Sequence, residues 1–306
     1  MNKYFKIIFS LSVIVTFFSC AKEDDNPIAK PRNYVEQYAK DIDSIDKFID
    51  THSMTVDANF NVTFNEIAAG EPSIRDQYDL QFKTVTNEAH GVDYKLYYIV
   101  LNEGVGEHPT IVDSVHVSYR GVETIKGDQF DLSQNPVWFK LDELGVAAWG
   151  EIFPYFRTGN YDATPGPNPV VFSDYGAGVM FVPSGMAYYN TSQGTLAAYS
   201  NLVFAFKLYE LNYRDHDNDG ILSKDEVPLG ENHLYDPQKY DSDGDGVPNY
   251  FDVDDDDDRV LTKNELKKPD GTYHTFETAP DCNGLATDLN RVRRYLDPTC
   301  KPPFAN

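Results

Sequence analysis

Between positions 115 and 211, short alternating or apolar runs are separated by turn residues, which limits this segment to a strand-rich fold. Val115–Gly121 alternates apolar and polar side chains and ends at a glycine, so it predicts a half-buried strand that enters a turn. Lys126-Gly127-Asp128 is a second turn signal, and Leu202–Leu208 is a longer apolar run that predicts a further strand.

Aromatic residues recur in a fixed order along the same segment, and the marked positions are Tyr119, Phe130, Phe139, Trp149, Tyr188 and Phe204. Their order and most of their spacing across Gly91–Tyr213 resemble the FKBP-type peptidyl-prolyl isomerases. The resemblance implies an α+β fold in which an antiparallel sheet curls around a short helix. It also implies isomerase activity on proline-containing polypeptides.

The resemblance assigns roles to seven residues. Trp149 would form the floor under the prolyl ring, and Tyr188 would donate its hydroxyl to a substrate carbonyl. Asp131 would accept a hydrogen bond from Tyr119 and place a dipole beside the twisting amide. The other residues of the predicted wall and rim are Phe130, Phe204 and Val146. Taken singly, the aromatic residues on strands are better explained by core packing than by a functional role.

Several positions depart from the family pattern. Ala148 stands where a glycine usually precedes the tryptophan, Val137 replaces an aromatic residue, and Tyr189 replaces a glycine. Thr158–Gly178, rich in Gly, Pro and Tyr, replaces a basic strand and is expected close to the cleft. These departures favour an alternative function, a surface-binding module that keeps the fold without turnover.

An acidic motif follows the last predicted strand and fits D-x-[DN]-x-[DN]-G-x5-E, a calcium loop of the EF-hand type. Ca²⁺ takes about six to eight oxygen ligands, and Gly220 supplies the sharp turn that the loop needs. The predicted ligands are Asp215, Asp217, Asp219, the carbonyl of Ile221, and Glu226. The motif therefore predicts a structural Ca²⁺ site.

The acidic loop has two further copies. In the copy 39 residues later, Arg259 replaces the turn glycine, so its site is expected to be weaker. Its predicted ligands are Asp254, Asp256, Asp258 and Glu265. The copy between them resembles thrombospondin type 3 repeats, in which bridging aspartates are shared, and Asp252 and Asp254 would play that part. Its predicted ligands are Asp241, Asp243, Asp245, Val247, Asn249 and Asp252.

Positions 215–270 contain 18 acidic and six basic residues, a net −12 of the chain's −23. Such a density repels itself, so the segment is expected to be loose without Ca²⁺ and compact with it. An acidic disordered tail is the alternative. Short exit helices are predicted at Ser223–Val227 and Lys263–Lys268, which favours structural braces over sensors. The acidic balance argues against nucleic acid as a partner.

The N-terminus predicts export. Two lysines precede an apolar run from Ile7 to Phe18, which is too short to span a membrane and fits a signal peptide. Phe17–Cys20 resembles a lipobox, which implies acylation of Cys20 and a stable membrane anchor. The chain is therefore predicted to be an outer membrane lipoprotein that faces the periplasm or the cell surface. An ordinary cleaved signal is the alternative.

Apart from Cys20, the chain contains Cys282 and Cys300. An even number of cysteines in an exported protein favours a disulfide between them. A metal site built from these cysteines and distant histidines is the less favoured alternative.

Five segments are predicted: a signal peptide (1–19), a lipidated tether (20–32), an N-terminal helical and irregular segment (33–90), the isomerase-like domain (91–213) and an acidic calcium-binding extension (215–306). The apolar spacing in Asn33–Thr51 predicts an amphipathic helix. A calcium-dependent adhesin is a third function, and it depends on the extension alone.

Overall fold

Residues 30–162 and 170–304 are described by the structure, a computed structural model. The helices are α1 (Tyr34–Thr51), α2 (Ile74–Gln77), α3 (Ala148–Ile152) and α4 (Thr262–Glu265). The strands are β1 (His52–Val56), β2 (Val62–Glu66), β3 (Gln81–Asn87), β4 (Val92–Asn102), β5 (Ser114–Glu123), β6 (Gln129–Lys140), β7 (Asn160–Tyr161), β8 (Phe172–Ser173), β9 (Gly176–Val182) and β10 (Leu202–Asn212).

A six-stranded antiparallel sheet is the centre of the fold, with the strand order β3-β4-β9-β10-β5-β6. The strands predicted at 115–121 and 202–208 lie within β5 and β10. Since β10 is buried on both faces, it reads as a continuous apolar run. The predicted α+β class, with an antiparallel sheet against a short helix, is confirmed.

Two apolar layers cover the sheet. On one face, Phe204 and Phe206 of β10 pack with α3 and its neighbours. On the other face, Val203 and Ala205 of the same strand pack with α1 and the β1–β2 hairpin. Successive side chains of a strand point to opposite faces, so one short run supplies both cores.

Helix α1 is the predicted amphipathic helix. The side chain of Asn33 caps it by accepting hydrogen bonds from the amides of Val35 at 2.9 Å and Glu36 at 3.3 Å. Ile45 and Ile49 are buried against the sheet, four residues apart on one face of the helix. The N-terminal segment is therefore part of the sheet's packing.

The sheet extends beyond the predicted domain limits. Strand β3 precedes position 91 and pairs with β4 along its whole length. The sheet and the acidic extension belong to one compact unit, which begins at Arg32. Within the described ranges, no helix has the length and apolar character needed to cross a membrane.

The acidic extension after β10 consists mostly of turns. The prediction of a helix at Ser223–Val227 is wrong, because these residues form turns and bends that end before Pro228. The second predicted exit helix is present as α4, one turn long. The predicted signal peptide and Cys20 lie outside the described residues.

Candidate functional site

The seven side chains predicted for the cleft come from separate elements and lie on the sheet face that α3 covers. They are Tyr119 on β5, Phe130 and Asp131 on β6, Val146 before α3, Trp149 on α3, Tyr188 after β9, and Phe204 on β10. The six apolar or aromatic members pack in one hydrophobic cluster.

Trp149 lies at the centre of this cluster. Its ring centroid is 4.6 Å from that of Phe204 and 5.6 Å from that of Tyr119. Phe130 packs edge-on against Phe204 at 5.6 Å. Gly121 allows this approach, because a Cβ there would lie 2.6 Å from the Phe130 ring and 3.0 Å from the Phe204 ring. Such aromatic pairs contribute about 0.5–1.5 kcal/mol each beyond area burial.

Three polar groups surround the aromatic floor. The Tyr119 hydroxyl donates to Asp131 Oδ2 at 2.7 Å. Burial and this carboxylate both raise the pKa of Tyr119, so the hydroxyl stays protonated. Burial, and then the charge of Asp131, also raises the pKa of Tyr188. None of the described residues forms a hydrogen bond with the Tyr188 hydroxyl, which leaves it available as a donor.

The cluster is buried at its base and partly exposed to solvent at its rim. Trp149 and Phe204 are only 4 % and 2 % exposed, whereas Tyr119, Phe130 and Tyr188 are half-buried. Asp131 is exposed. A ligand would therefore meet the tyrosines and Phe130 first, and would reach the indole only if these side chains moved apart.

Phe139 is a further member of the cluster, at 5.4 Å from Tyr119 and 5.9 Å from Trp149 between ring centroids. The sequence signal for it was its place in the run Pro136–Leu141, which reads equally well as core. Ala148 is fully buried beside Trp149, and Val137 is partly exposed on β6, away from the cluster.

The loop that carries Tyr188 is held by helix α1. Asp41 Oδ2 accepts from the amide of Ser184 at 3.0 Å and from its hydroxyl at 2.6 Å. Tyr189 stacks on Tyr34 of the same helix at 4.0 Å. The departure at Tyr189 is therefore a contact with the N-terminal helix, and no local sequence pattern predicts it.

The insertion does not lie where it was expected. In its described part, Phe172 packs against His116 and Tyr209, and the Tyr161 hydroxyl donates to Glu210. His116 alternates with the cluster-facing residues of β5, so these contacts lie on the opposite face of the sheet. The expectation that Thr158–Gly178 lies close to the cleft is therefore wrong for the β7–β8 pair, whereas Gly178 on β9 lies against Phe156 of the cluster.

In the acidic extension, the first loop is shaped by hydrogen bonds from backbone amides to its own aspartates. Asp215 Oδ2 accepts from Gly220 at 3.2 Å, and Asp217 Oδ1 accepts from Asp219 at 3.1 Å. Asp219 Oδ1 accepts from Ile221 at 2.7 Å. Asp215 Oδ1 also accepts from the amide of Asn218 at 2.8 Å, so both Asp215 oxygens serve the turn, whereas Asp217 and Asp219 each keep one oxygen without a donor.

The other two loops have the same backbone hydrogen bonds. In the second loop they run from Gly246 to Asp241 at 3.0 Å, from Asp245 to Asp243 at 2.9 Å and from Val247 to Asp245 at 2.7 Å. In the third they run from Arg259 to Asp254 at 3.0 Å, from Asp258 to Asp256 at 3.2 Å and from Val260 to Asp258 at 2.7 Å. The repeat seen in the sequence is therefore a repeat of backbone geometry.

The aspartates of each loop lie close enough to share one cation. Their carboxylate oxygens lie within 4.8 Å of one another in the groups Asp215–Asp217–Asp219, Asp241–Asp243–Asp245 and Asp254–Asp256–Asp258. Oxygens without a hydrogen-bond donor include Asp217 Oδ2, Asp243 Oδ2 and Asp256 Oδ2. An all-oxygen, anionic donor set of this kind fits Ca²⁺.

The two glutamates at the loop ends are more deeply buried. Both carboxylate oxygens of Glu226 and of Glu265 lack hydrogen-bond donors. Burial, and then neighbouring carboxylates, raise the pKa of Glu226 to about 11 and that of Glu265 to about 9. Glu226 groups with Asp219 and with Asp255, a residue outside the predicted ligand set.

The third loop departs from the first at two places. Arg259 adopts a φ of +75°, in the left-handed region where Gly220 has +108°. The Lys301 ammonium lies 2.8 Å from Asp258 Oδ2, so a side-chain cation already stands at this site. Both features make the third loop a poorer fit for a divalent cation than the first, and the weaker affinity expected from Arg259 stays a prediction.

The remaining predicted ligands of the second loop have other partners. Asn249 Oδ1 accepts from the amide of Ser242 at 2.8 Å, and its Nδ2 donates to the Ser242 hydroxyl at 2.9 Å. Asp252 Oδ1 accepts from the amide of Asp254 at 2.9 Å. Asn249 therefore acts in the structure as a brace of its own loop.

A disulfide joins Cys282 to Cys300, with 5.4 Å between their Cα atoms. It closes a segment of the extension that also contains Tyr295, a buried residue of the small core around Ile221 and Leu266. The disulfide thereby holds the end of the chain against the first and third loops.

Residues 216–289 match a family model described as BamM C-terminal. The match covers 74 of the 306 residues, about a quarter, and falls within the predicted extension. A comparison with curated proteins gave no match.

Three solved structures illustrate what the chain is similar to. A peptidyl-prolyl cis-trans isomerase from Pseudomonas syringae pv. tomato is 17 % identical with a TM-score of 0.35, over 59 % of this chain and 97 % of that one. FkpA from Escherichia coli is 20 % identical with a TM-score of 0.35, over 58 % of this chain and 61 % of that one. The N-terminal domain of FKBP42 from Arabidopsis thaliana is 15 % identical with a TM-score of 0.31, over 39 % and 88 %.

Proposed function

We propose that the chain is a peptidyl-prolyl cis-trans isomerase that acts on X-Pro bonds of exported proteins. The observation that carries the proposal is the meeting, around Trp149, of aromatic residues from separate elements with the Tyr119–Asp131 pair and Tyr188. Core packing accounts for the aromatic residues. It does not account for an exposed carboxylate and a free hydroxyl at the rim of the same cluster.

The reaction suits such a site because it breaks no covalent bond. The barrier to rotation of a peptide bond is about 18–20 kcal/mol, and it reflects the resonance lost on twisting. A twisted amide is less polar than a planar one, so an apolar surface binds it at a lower desolvation cost. The aromatic rim would hold the prolyl ring, and Tyr188 would donate to a substrate carbonyl. Asp131 would orient Tyr119 and place its charge beside the twisting bond.

The test is the isomerisation rate of a short X-Pro peptide with the full-length protein and its Asp131→Asn variant. We expect Asp131→Asn to lower kcat/KM by about tenfold or more, because a charge aimed at the reacting amide is lost. Asp131 is exposed, so the variant should fold normally. The matched control is Asp128→Asn, an exposed aspartate in the preceding turn. A wild-type rate equal to the uncatalysed rate would contradict the proposal.

A binding module without turnover is the second candidate. It is favoured by the near-complete burial of Trp149 and Phe204, which leaves only the rim of the cluster for a ligand. This function predicts that proline-containing peptides shift the fluorescence of the protein and protect the Tyr188 loop from hydrogen exchange, with no increase in the isomerisation rate.

We also propose that the acidic loops bind structural Ca²⁺, and that Cys20 anchors the chain to the outer membrane. The calcium proposal rests on the repeated loop geometry and on buried carboxylate oxygens that have no protein donor. Native mass spectrometry of the full-length protein in Ca²⁺ and in EDTA tests it. Globomycin-sensitive processing and palmitate labelling that is lost in Cys20→Ala test the anchor.

A further inference from the structure

Asp255 has the most enclosed carboxylate in the run of five aspartates. It is 1 % exposed, and neither of its oxygens has a hydrogen-bond partner. It stands at the second position of the third loop, from which calcium loops of this type take no ligand. Its amide donates to Thr262 Oγ1 at 3.2 Å, and its carbonyl accepts from the Ser242 hydroxyl at 2.5 Å. The side chain is therefore fixed in the interior without serving its own loop.

The Asp255 carboxylate lies beside two side chains of the first loop. One oxygen each from Asp219, Glu226 and Asp255 lie within 4.8 Å of one another. Asp219 and Glu226 are only 2 % and 3 % exposed, and Asp219 Oδ2 and both Glu226 oxygens also lack donors. Removing one charged group from water costs several kcal/mol unless it is compensated. Three such groups together need positive charge.

No side chain of the described residues supplies that charge. None of the ion pairs in residues 30–162 and 170–304 involves these three carboxylates. The nearby Lys224 pairs with Asp225 at 2.7 Å, and the Lys263 ammonium donates to the carbonyl of Asn218 at 2.7 Å. Compensation must come from a bound cation or from protons on the carboxylates themselves.

We propose that Asp219, Glu226 and Asp255 form a Ca²⁺ site between the first and third loops, additional to the site that each loop forms from its own aspartates. This inference rests on the proposed calcium binding of the loops. Asp219 belongs to this group and also to the group with Asp215 and Asp217, so it bridges two ions. Together the two groups contain five carboxylates, which carry five negative charges when ionised. One Ca²⁺ would leave three of these charges uncompensated, whereas two Ca²⁺ ions would leave one.

The donor set selects the kind of cation. Three carboxylates offer only oxygen, and Zn²⁺ sites are built mainly from nitrogen and sulfur. A cavity of about 520 Å³, lined in part by Glu226, Asp255 and Tyr295, adjoins the group and has room for coordinating water. Ca²⁺ accepts a large and irregular oxygen shell of this kind, whereas Mg²⁺ demands near-octahedral geometry and gives up its water reluctantly.

An ion at this position joins segments that are far apart in sequence. Asp255 lies 29 residues after Glu226, and the second loop lies between them. The first and third loops are then brought together by one ion, so filling the first loop favours closure of the third. Calcium binding to the extension should be cooperative.

The test compares Asp255→Asn with Asp257→Asn, a matched control that removes an exposed aspartate of the same run. Calcium stoichiometry of the full-length proteins is measured by native mass spectrometry, and affinity by isothermal titration. We expect Asp255→Asn to bind one Ca²⁺ fewer, or to bind one ion at least about tenfold more weakly, and Asp257→Asn to match the wild type. In EDTA, trypsin should cleave the extension of Asp255→Asn more slowly than that of the wild type, because compaction of the variant buries one unpaired charge fewer.

The outcomes separate the inter-loop site from calcium binding as such. If the wild type binds no Ca²⁺, the proposed calcium function itself fails. If the wild type binds Ca²⁺ and Asp255→Asn binds the same number of ions with the same affinity, only the inter-loop site is overturned. Faster cleavage of the Asp255→Asn extension than of the wild type in EDTA also overturns it, since Asp255 would then be stabilising without a metal.

Discussion

The sheet region and the acidic extension both bury carboxylates, but these carboxylates differ in how many hydrogen-bond donors surround them. Asp41 and Asp113, on the sheet side, each accept three hydrogen bonds from side chains or amides of the protein. In the extension, Glu226, Asp255 and Glu265 have no donor at all. The regions therefore differ in the partners of their buried charges and not in the presence of such charges.

This difference shows in which region the protein's own groups compensate the buried carboxylates. A buried carboxylate with several donors contributes to a single packed arrangement, whereas one without donors carries the full cost of its desolvation. In the sheet region, Asp41 and Asp113 find their partners within the chain, whereas no lysine or arginine of the described residues pairs with Glu226, Asp255 or Glu265, and under the proposed calcium binding a cation would compensate them. Stability in the two regions should then respond to different variables.

Chelation is expected to separate the two regions most strongly. Calcium at a thousand times its Kd stabilises a site by about 4 kcal/mol, and EDTA removes that contribution. We expect trypsin to cleave within 215–304 in EDTA and to spare this region in Ca²⁺. Trp138 and Trp149 are the chain's two tryptophans and both belong to the sheet region, so their emission should not change.

The control for chelation is an excess of Mg²⁺ with EGTA, which should not restore protection. An extension that stays resistant in EDTA, or tryptophan emission that shifts when calcium is removed, would break the contrast between the two regions.

Asp41→Ala is expected to destabilise the sheet region by about 2–3 kcal/mol, because the amide and hydroxyl of Ser184 lose their buried acceptor. The effect should be the same in Ca²⁺ and in EDTA. Chemical denaturation followed by tryptophan emission measures it. Asp43→Ala, an exposed aspartate of the same helix, is the matched control and should change the free energy of unfolding by less than about 0.5 kcal/mol.

The same variant has a predicted pH dependence. Burial raises the pKa of Asp41, and hydrogen bonds from Ser184 and Gln37 offset part of the increase. A carboxyl with a higher pKa in the folded chain stabilises the fold most fully below its unfolded pKa, and this contribution is lost as the pH rises through the folded value. The deficit of Asp41→Ala relative to wild type should therefore grow from about pH 7 towards pH 4. A deficit that shrinks over this range would show the opposite shift.

A substitution at the junction between the two regions should have an intermediate effect on the free energy of unfolding. Arg214 pairs with Asp142 at 2.5 Å and with Glu143 at 3.2 Å, one residue before the first acidic loop. We expect Arg214→Lys to cost about 1–2 kcal/mol, because lysine cannot make both contacts. The control is Lys140→Ala, which breaks an exposed pair with Glu143 and should cost little. Equal costs for the two variants would show that the junction does not couple the regions.

The smallest effect is expected within the extension, at Arg259. Arg259→Gly should raise stability in Ca²⁺ by about 0.5–1 kcal/mol, since glycine adopts the left-handed φ without strain. Arg259→Ala keeps the Cβ and removes only the charge, so it separates strain from electrostatics. If alanine stabilises as much as glycine, the repulsion of a cation by the guanidinium is the cause.

The elements in which apolar residues recur at a regular spacing were predictable from the sequence. Helix α1 has apolar residues at helical spacing and an asparagine cap, and β5 and β10 have alternating or continuous apolar runs. The three loops were predictable because each aspartate sits at a position fixed by the turn itself. In all these cases the physical cause lies within a few neighbouring residues.

Contacts between distant segments were not predictable in this way. The contact from Asp41 to Ser184 spans 143 residues, and Asp255 looks like any other member of its acidic run. The insertion was expected near the cleft as the replacement of a basic strand, but side chains of β5 alternate between the two faces of the sheet, and His116, which contacts Phe172, lies on the other face.

The third loop keeps three of the amide-to-aspartate hydrogen bonds of the first two loops although its turn residue is arginine. Every arginine codon differs from a glycine codon at a single base. The sequence that the turn favours is therefore one point mutation away, with no rebuilding of the loop around it. Selection could therefore change the proposed ion affinity of this segment at one codon while the backbone of the loop stays intact.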